Sequence, residues 1–155
     1  MSVDVRTEIE IRRPRIEVAA FAADPLNAPS WYVNIKRAEW LTDTELALGK
    51  QVAFTAHFLG RTLAYTYSIK EHIAGSRLVM ATADGPFAME TIYEWADAGQ
   101  GATRMSLRNR GEPSGFARIA APALERAMRR ANQKDLRRLK ALLEARPGVI
   151  VDSPP

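Results

Sequence analysis

The order of its predicted elements is the feature that most restricts the fold of this chain. An amphipathic strand over residues 3–12, apolar at nearly all odd positions and charged at even ones, comes first. A short helical stretch, about six further strands and one long amphipathic helix follow. An antiparallel sheet with one apolar face must pack such a helix across that face. If the sheet curves, a pocket forms between sheet and helix, and this is where we expect a ligand.

Length and composition favour one α+β domain over residues 1–146, followed by a flexible tail over 147–155. A chain of 155 residues buries roughly 70% of its unfolded surface around a single core. The tail has four prolines and glycines in nine residues, which is typical of loose structure.

Several classes of protein are disfavoured by what the sequence lacks. It contains no cysteine, which excludes disulfides, thiolate catalysis and cysteine metal sites. No apolar run approaches the roughly 20 residues of a transmembrane helix. The first residues alternate charged and apolar side chains, unlike a signal or transit peptide. We therefore expect a cytoplasmic protein without membrane insertion.

Two short helices are predicted after the first strand. Pro14 suits the first position of a helix, because the donor it lacks would be unpaired there. This helix is expected to end at Ala23, before Asp24-Pro25. A loop or single turn then leads to Trp31, and a strand over residues 35–41 follows.

The alternating segments 52–59 and 63–69 predict the first of three hairpins. A two-residue turn at Gly60-Arg61 would pair Phe58 with Leu63 and place the large side chains on one face. Between residues 70 and 77 the parity of the inward positions changes, so the orientation of Glu71 stays open.

The next two hairpins follow the same alternation. Asp84-Gly85 is a typical two-residue turn that would pair Met80 with Met89. A glycine-rich turn further on would pair Tyr93 with Met105. Opposite charges would then face each other on the outer side, which stabilises a sheet. The expected outer pairs are Glu90 with Arg108 and Glu94 with Arg104.

The last helix is predicted from Gly115 to Arg146. Its apolar stripe follows steps of three and four residues: Leu124, Met128, Asn132, Leu136, Leu139 and Leu143. Residues 115–146 contain nine basic and three acidic side chains. We interpret the basic side as a solvated face, with an anionic surface or an acidic carrier protein as the alternative partner. No aromatic residues interleave with the arginines, so no specific nucleic acid is expected.

These elements, in this order, resemble the START-like superfamily, also called SRPBCC or the helix-grip fold, and in particular its bacterial polyketide cyclase-like branch. The resemblance covers about 145 of the 155 residues. It rests on Asp24-Pro25 with Trp31, Leu59-Gly60-Arg61, Tyr67 to Glu71, Gly101 to Arg104, and Leu136 to Lys140.

The resemblance implies a curved antiparallel sheet of about seven strands that grips the C-terminal helix around a hydrophobic cavity. Members of the superfamily include lipid carriers, hormone receptors and cyclases. The aromatase/cyclase members place an arginine and a serine or tryptophan inside the cavity. The corresponding strand here contains Phe54, Thr55, Ala56 and His57 but no arginine, which weighs against polyketide cyclisation.

The sequence contains no recognisable catalytic constellation. His57 and His72 have no metal-site spacing, and phosphate loops and a nucleophile elbow are absent. His57 is predicted on the outer face beside Thr55 and Ala64, where a surface or homodimer contact is favoured over catalysis. We expect no catalytic residue, no metal and no cofactor.

Apolar walls with a few fixed hydroxyl and amide groups describe a site for a small molecule. Asn132 is the clearest polar case, because a leucine there would complete the stripe. Burying an amide without partners costs about 1–3 kcal/mol. Asn132 is therefore predicted either to bind a ligand or to be satisfied within the core by Tyr65, Tyr93 or backbone, and Asn109 is also predicted to point inward.

We predict that the protein binds a small hydrophobic or aromatic molecule, lipid-like or polyketide-like, without bond chemistry. A polyketide cyclase, aromatase or dehydratase that uses cavity hydroxyls is the first alternative. An interaction module acting through the basic helix is the second. The predicted ligand-binding residues are Trp31, Phe54, Phe58, Tyr65, Tyr67, Met80, Phe87, Met89, Thr91, Tyr93, Met105, Leu124, Met128 and Asn132.

Overall fold

A computed structural model describes residues 2–43, 45–84, 88–112 and 119–147 of the protein. Seven antiparallel strands form one sheet in the order β1-β7-β6-β5-β4-β3-β2. A long C-terminal helix, α3, packs against this curved sheet. The predicted α+β class, with about seven antiparallel strands, two short helices after the first strand and one long final helix, is confirmed.

The bounds of the elements follow the predicted order. The strands are β1 (Val3–Ile11), β2 (Ile35–Trp40), β3 (Gln51–Phe58), β4 (Arg61–Ile73), β5 (Arg77–Asp84), β6 (Ala88–Asp97) and β7 (Thr103–Glu112). The helices are α1 (Arg15–Ala23), α2 (Ala28–Trp31) and α3 (Ala121–Ala145). A short 3₁₀ turn (Pro25–Asn27) joins α1 to α2.

The predicted start of the last helix at Gly115 is wrong in part. Residues 113–118 lie outside the described part of the chain, but Ile119 and Ala120 are described and are not helical. Ala120 is extended, with φ −60° and ψ 140°, and Pro122 occupies the first turn of α3. A proline fits there because the first-turn N–H groups have no partner within the helix.

Side chains of α3 bind the free edge of β1, which is an outer strand of the sheet. At one end, Glu125 accepts a hydrogen bond from the Asp4 N–H over 3.0 Å. At the other end, Glu144 accepts one from the Arg12 N–H over 2.8 Å. Between them, Arg129 donates to the Arg6 carbonyl and Lys140 to the Glu10 carbonyl. We call this row of four hydrogen bonds the edge seam.

All three predicted hairpin registers are wrong by two residues, although each strand presents the predicted face. Phe54 pairs with Tyr65, and not with Tyr67. Met80 pairs with Thr91 and Tyr93 with Leu107. A slip of two residues keeps every side chain on its side of the sheet, because side chains alternate with a period of two.

The first hairpin shows why its register differs. Its turn residues are Leu59 and Gly60, with φ values of 50° and 76°, and not Gly60 and Arg61. Two consecutive positive φ values are the requirement of a type I′ turn, whose twist matches that of the flanking strands. The leucine therefore adopts a backbone conformation that its residue type did not predict.

An irregularity in β4 explains the parity change after residue 69. The register between β4 and β5 shifts between Ile69 and Glu71, so that Lys70 is an extra residue on its strand. Beyond the shift, Glu71 lies on the outer side and forms an ion pair with Arg77 over 3.2 Å. This settles the orientation of Glu71.

The outer face of the sheet has cross-strand ion pairs, but with other partners than predicted. Glu90 pairs with Arg110 over 2.6 Å, and Glu94 pairs with Arg77 over 2.6 Å. Arg108, the predicted partner of Glu90, binds Asp4 on β1. These pairs are solvent-exposed and each adds ~0–1 kcal/mol to stability.

Two apolar clusters hold α3 against the sheet. The larger one contains Leu136, Leu139 and Leu143 with the side chains of α1 and the middle strands. The smaller one contains Leu124 with Val3, Leu63 and Met89. The segment of α3 between these clusters, residues 128–135, faces a cavity.

We predict that Gly111→Ala strongly destabilises the protein. A Cβ atom at Gly111, which has φ +151°, would lie 2.1 Å from the Ala88 carbonyl oxygen on β6. Gly99→Ala is the matched control, since Gly99 has φ +95° but nothing within 4 Å of the added atom. The positive φ should cost each variant about 1–2 kcal/mol, and the clash should cost Gly111→Ala a further ~1–3 kcal/mol.

Urea denaturation of the wild type and both variants measures these costs. Equal losses in the two variants would show that β6 and β7 separate easily at this position, contrary to the close approach seen here.

Candidate functional site

A cavity lies between the sheet and α3, where the helix separates the two apolar clusters. Its volume is about 140 Å³. The side chains around it come from the segment after α2, from the start of β2, from β3 to β7 and from α3. The lining residues are Tyr32, Asn34, Ile35, Phe54, Ala56, Phe58, Leu63, Tyr65, Tyr67, Met80, Met89, Thr91, Tyr93, Asn109, Leu124, Met128, Ala131, Asn132 and Asp135.

The structure brings eleven of the fourteen predicted ligand-binding residues to the wall of this cavity: Phe54, Phe58, Tyr65, Tyr67, Met80, Met89, Thr91, Tyr93, Leu124, Met128 and Asn132. Asn109, which was also predicted to point inward, joins them. Phe87 lies outside the described residues. The placement is geometric, and the ligand-binding role of each residue stays a prediction.

Trp31 and Met105 do not line the cavity, contrary to prediction. Both are fully buried in the larger apolar cluster. The Trp31 ring lies behind Tyr32, at a centroid distance of 4.2 Å, and behind Tyr93, at 5.8 Å. Met105 pairs with Trp95 and not with Tyr93, because the true register moves it two residues along the sheet.

The most important residue that the sequence reasoning missed is Asp135. It is one of the three acids among residues 115–146, and its charge alone would place it on the solvated face, yet only 3% of it is exposed. Its spacing of three residues from Asn132 and four from Leu139 places it on the apolar stripe, so helical periodicity alone could have located it. Tyr32 and Asn34, in the segment after α2, were missed because no period marks a loop.

A chain of hydrogen bonds joins α3 to the sheet across the cavity. The Asn132 amide Nδ2 donates to Asn109 Oδ1 over 2.7 Å. Asn109 Nδ2 donates to Thr91 Oγ1 over 2.8 Å, and the Tyr67 hydroxyl lies 2.8 Å from the same oxygen. Asn132 is thus bonded within the protein, through Asn109 and not through the tyrosines or backbone that were predicted.

A second polar group lies one turn further along α3. Asp135 Oδ1 accepts a hydrogen bond from the Val33 N–H over 2.9 Å, which ties the helix to the segment after α2. Nearby, the hydroxyls of Tyr32 and Tyr93 are 2.5 Å apart and bonded to each other. The cavity therefore has an amide group at Asn132 and an acidic group at Asp135.

Burial dominates the ionisation of these groups. It raises the pKa of Asp135 from 3.8 to about 6, opposed by the Val33 N–H and by the charge of Arg138. Burial also raises the pKa of Tyr67 to about 12, and raises the pKa values of Tyr32, Tyr65 and Tyr93. All four hydroxyls stay protonated at neutral pH, whereas Asp135 titrates close to it.

The other candidate groups lie outside the cavity. His57 is exposed on the outer face, with Nδ1 3.0 Å from the Thr62 hydroxyl. Of the basic residues of α3, Arg129 and Lys140 take part in the edge seam. Five others are exposed: Arg126, Arg130, Lys134, Arg137 and Arg138. A partner for this face stays a prediction, as does a homodimer.

Among residues 2–43, 45–84, 88–112 and 119–147, no group of three or more histidine, aspartate or glutamate side chains could hold a metal ion. Within the same residues, no helix has both the length and the apolar character needed to cross a membrane.

Comparison with known protein families identifies the family of this chain. The family described as "Polyketide cyclase / dehydrase and lipid transport" matches residues 2–144. The chain belongs to this family, within the START-like superfamily that the sequence resembles. No curated protein matches the chain.

Solved structures of low sequence identity share the fold. A START superfamily protein from Mycobacterium smegmatis has a TM-score of 0.77 at 13% identity, covering 91% of this chain and 97% of its own. The Zhui aromatase/cyclase from Streptomyces has a TM-score of 0.77 at 16% identity, covering 96% and 100%. A major latex-like protein from Panax ginseng has a TM-score of 0.71 at 11% identity, covering 91% and 97%.

We predict that Asn132→Leu destabilises the protein by ~1–3 kcal/mol, because it leaves the Asn109 carbonyl oxygen without its donor. The melting temperature should fall by about 2–4 °C for each kcal/mol lost. The double variant with Asn109→Leu should lose less than the sum of the single losses, since both partners are then gone. A melting temperature at or above that of the wild type would show that the amide is idle in the empty protein.

We predict that Asp135→Asn stabilises the protein at neutral pH. A raised carboxyl pKa contributes stability that is complete below about pH 4 and lost by about pH 6. The variant should therefore be more stable than wild type by ~2–3 kcal/mol at neutral pH, while the difference disappears near about pH 4. Asparagine can still accept the Val33 hydrogen bond, so the variant isolates the charge.

Urea denaturation of both proteins at several pH values measures this difference. A variant that is less stable than wild type at every pH would contradict the prediction, since the carboxylate would then make favourable native contacts of its own.

Proposed function

We propose that this protein binds a small hydrophobic or aromatic molecule in the cavity between the sheet and α3, and releases it unchanged. The observation that carries the proposal is the cavity wall itself. Aromatic rings, methionines and leucines surround it, and a few hydrogen-bonding groups interrupt this apolar lining at fixed positions. Such walls are typical of small-molecule sites.

The polar groups would orient the ligand, and the apolar ones would supply most of the affinity. Met80, Met89 and Met128 are flexible and polarizable, so they suit ligands of varied shape. Family membership supports the proposal, since lipid transport is part of the family's description. A volume of about 140 Å³ is close to that of an engineered cavity of roughly 150 Å³ that binds benzene.

A second candidate function is cyclisation or dehydration of a bound poly-ketone. One observation favours it: the Asp135 carboxyl faces the cavity with a pKa of about 6, which suits proton transfer near neutral pH. The family description and the aromatase/cyclase among the structural neighbours point the same way. The cavity wall has no arginine among the described residues, unlike the aromatase/cyclases that the sequence resembles.

The two functions differ in what leaves the cavity. Native mass spectrometry of protein purified from its producing cell would show a retained small molecule in either case. Incubation with a synthetic poly-ketone then separates them. Turnover that Asp135→Asn abolishes would establish the enzyme, and recovery of the compound unchanged would support the carrier.

We predict that filling the cavity blocks binding. Ala131 lines the cavity, so Ala131→Phe should lower the affinity for the neutral fluorescent probe N-phenyl-1-naphthylamine by about tenfold or more, because shape governs binding in apolar pockets. Ala141 lies on the exposed side of the same helix, and Ala141→Phe should leave the affinity unchanged. Fluorescence titration measures both. Equal affinity in all three proteins would place the binding site elsewhere.

A further inference from the structure

The Asp135 carboxylate is the one formal charge on the described cavity wall. No lysine, arginine or histidine is among the lining residues that the structure describes. Asp135 is 3% exposed, and its Oδ1 atom accepts the Val33 N–H. Within the described residues, the wall thus carries one negative charge and no positive charge to balance it.

The groups that face Asp135 do not neutralise it. The Tyr32 and Tyr93 hydroxyls are bonded to each other. Tyr65, from β4, is also near: besides burial, the Asp135 charge helps to raise the pKa of the Tyr65 hydroxyl, as it does for Tyr32 and Tyr93. From its own helix, Arg138 favours the charged form of Asp135, but its side chain is exposed to solvent. Neutral hydroxyls and a solvated cation leave the charge in the cavity uncompensated.

A neutral ligand and a cationic ligand would meet this charge differently. A neutral apolar ligand that covers Asp135 removes its remaining water, which penalises the ionised carboxylate. A protonated amine forms an ion pair with it in an environment of low dielectric constant. The neighbouring aromatic rings would add to the effect, because the face of a tyrosine ring attracts cations. Charge complementarity therefore favours a cation.

We propose that the ligand of this cavity carries a basic nitrogen, which forms an ion pair with Asp135 while its apolar body packs against the aromatic and methionine side chains. This inference rests on the proposed function, since it names the class of molecule that the cavity binds. The Asn132 amide, one helical turn away from Asp135, is placed to orient a second polar group of the same ligand.

Three compounds that share a phenyl ring test the inference: 2-phenylethylamine, 2-phenylethanol and phenylacetate. Isothermal titration at about pH 7.5 should show the amine binding wild type about tenfold or more tighter than the alcohol, with the anion weakest. Asp135→Asn should lower the affinity for the amine by a similar factor. The affinity of the Asp135→Asn variant for 2-phenylethanol should stay level or rise, because binding the alcohol then desolvates no charge.

The pH dependence of the two affinities gives a second readout, which Asp135 would not produce if its role were only structural. Between about pH 7.5 and about pH 5, wild type should lose affinity for the amine and gain affinity for the alcohol as Asp135 is protonated. Both trends should be absent in Asp135→Asn. Near-ultraviolet circular dichroism of the variant at both pH values shows that its fold is intact.

The possible failures are distinguishable. In one outcome, 2-phenylethanol binds and Ala131→Phe blocks it, but 2-phenylethylamine binds no tighter and Asp135→Asn changes neither affinity. The inference is then wrong and the proposed function stands. If no phenyl compound binds or displaces N-phenyl-1-naphthylamine, the proposed function fails and the inference with it. Amine binding that Ala131→Phe leaves unchanged would occur outside the cavity, and would also overturn the inference.

Discussion

The edge seam between α3 and β1 fixes where the long helix lies relative to the sheet. An outer strand leaves a row of unpaired N–H and C=O groups, which attract other strands. Here Glu125 and Glu144 bind two of these N–H groups, while Arg129 and Lys140 bind two carbonyls. Charged residues of the helix that a sequence pattern assigns to solvent thus attach it to the sheet at both ends. The helix is held along the edge of the sheet, and its middle can remain apart from the sheet's centre.

Because the middle of α3 lies apart from the centre of the sheet, a cavity remains between them. A helix that packs through leucines along its whole length would close onto the sheet, since protein interiors are packed to the density of organic crystals. The stripe is instead interrupted by Asn132 and Asp135, both polar and both buried. The first has a partner in Asn109, and the second keeps a charge in apolar surroundings at a cost to stability. Residues that break a local rule at such a cost are expected at functional or strained sites.

The periodicity of the sequence predicted the faces of the strands, but it predicted neither the hairpin registers nor the burial of Asp135. Alternation assigned the faces of the strands, and therefore found eleven residues of the cavity wall. It could not find the registers, because a slip of two residues leaves every face unchanged. In the first hairpin the slip originates in the turn, where Leu59 has a positive φ that its residue type does not predict. The separate slip of the third hairpin pairs Met105 with Trp95 and moves it away from the cavity. Asp135 was missed for another reason: a charged residue on a basic helix was interpreted through its charge and not through its helical position.

The edge seam also joins parts of the chain that are far apart in sequence. Its bonds join residues 121 to 132 positions apart in the chain. Contacts between such distant residues slow folding, because a long loop must close before they contribute. The central hairpins pair residues that are close in the chain, whereas β1 pairs with β7 and α3, which lie near its other end. Until these contacts form, the backbone edge of β1 is open to strands of other molecules. We therefore expect the contacts that close the cavity to form late in folding, and a molecule that binds only the closed form would stabilise the folded protein.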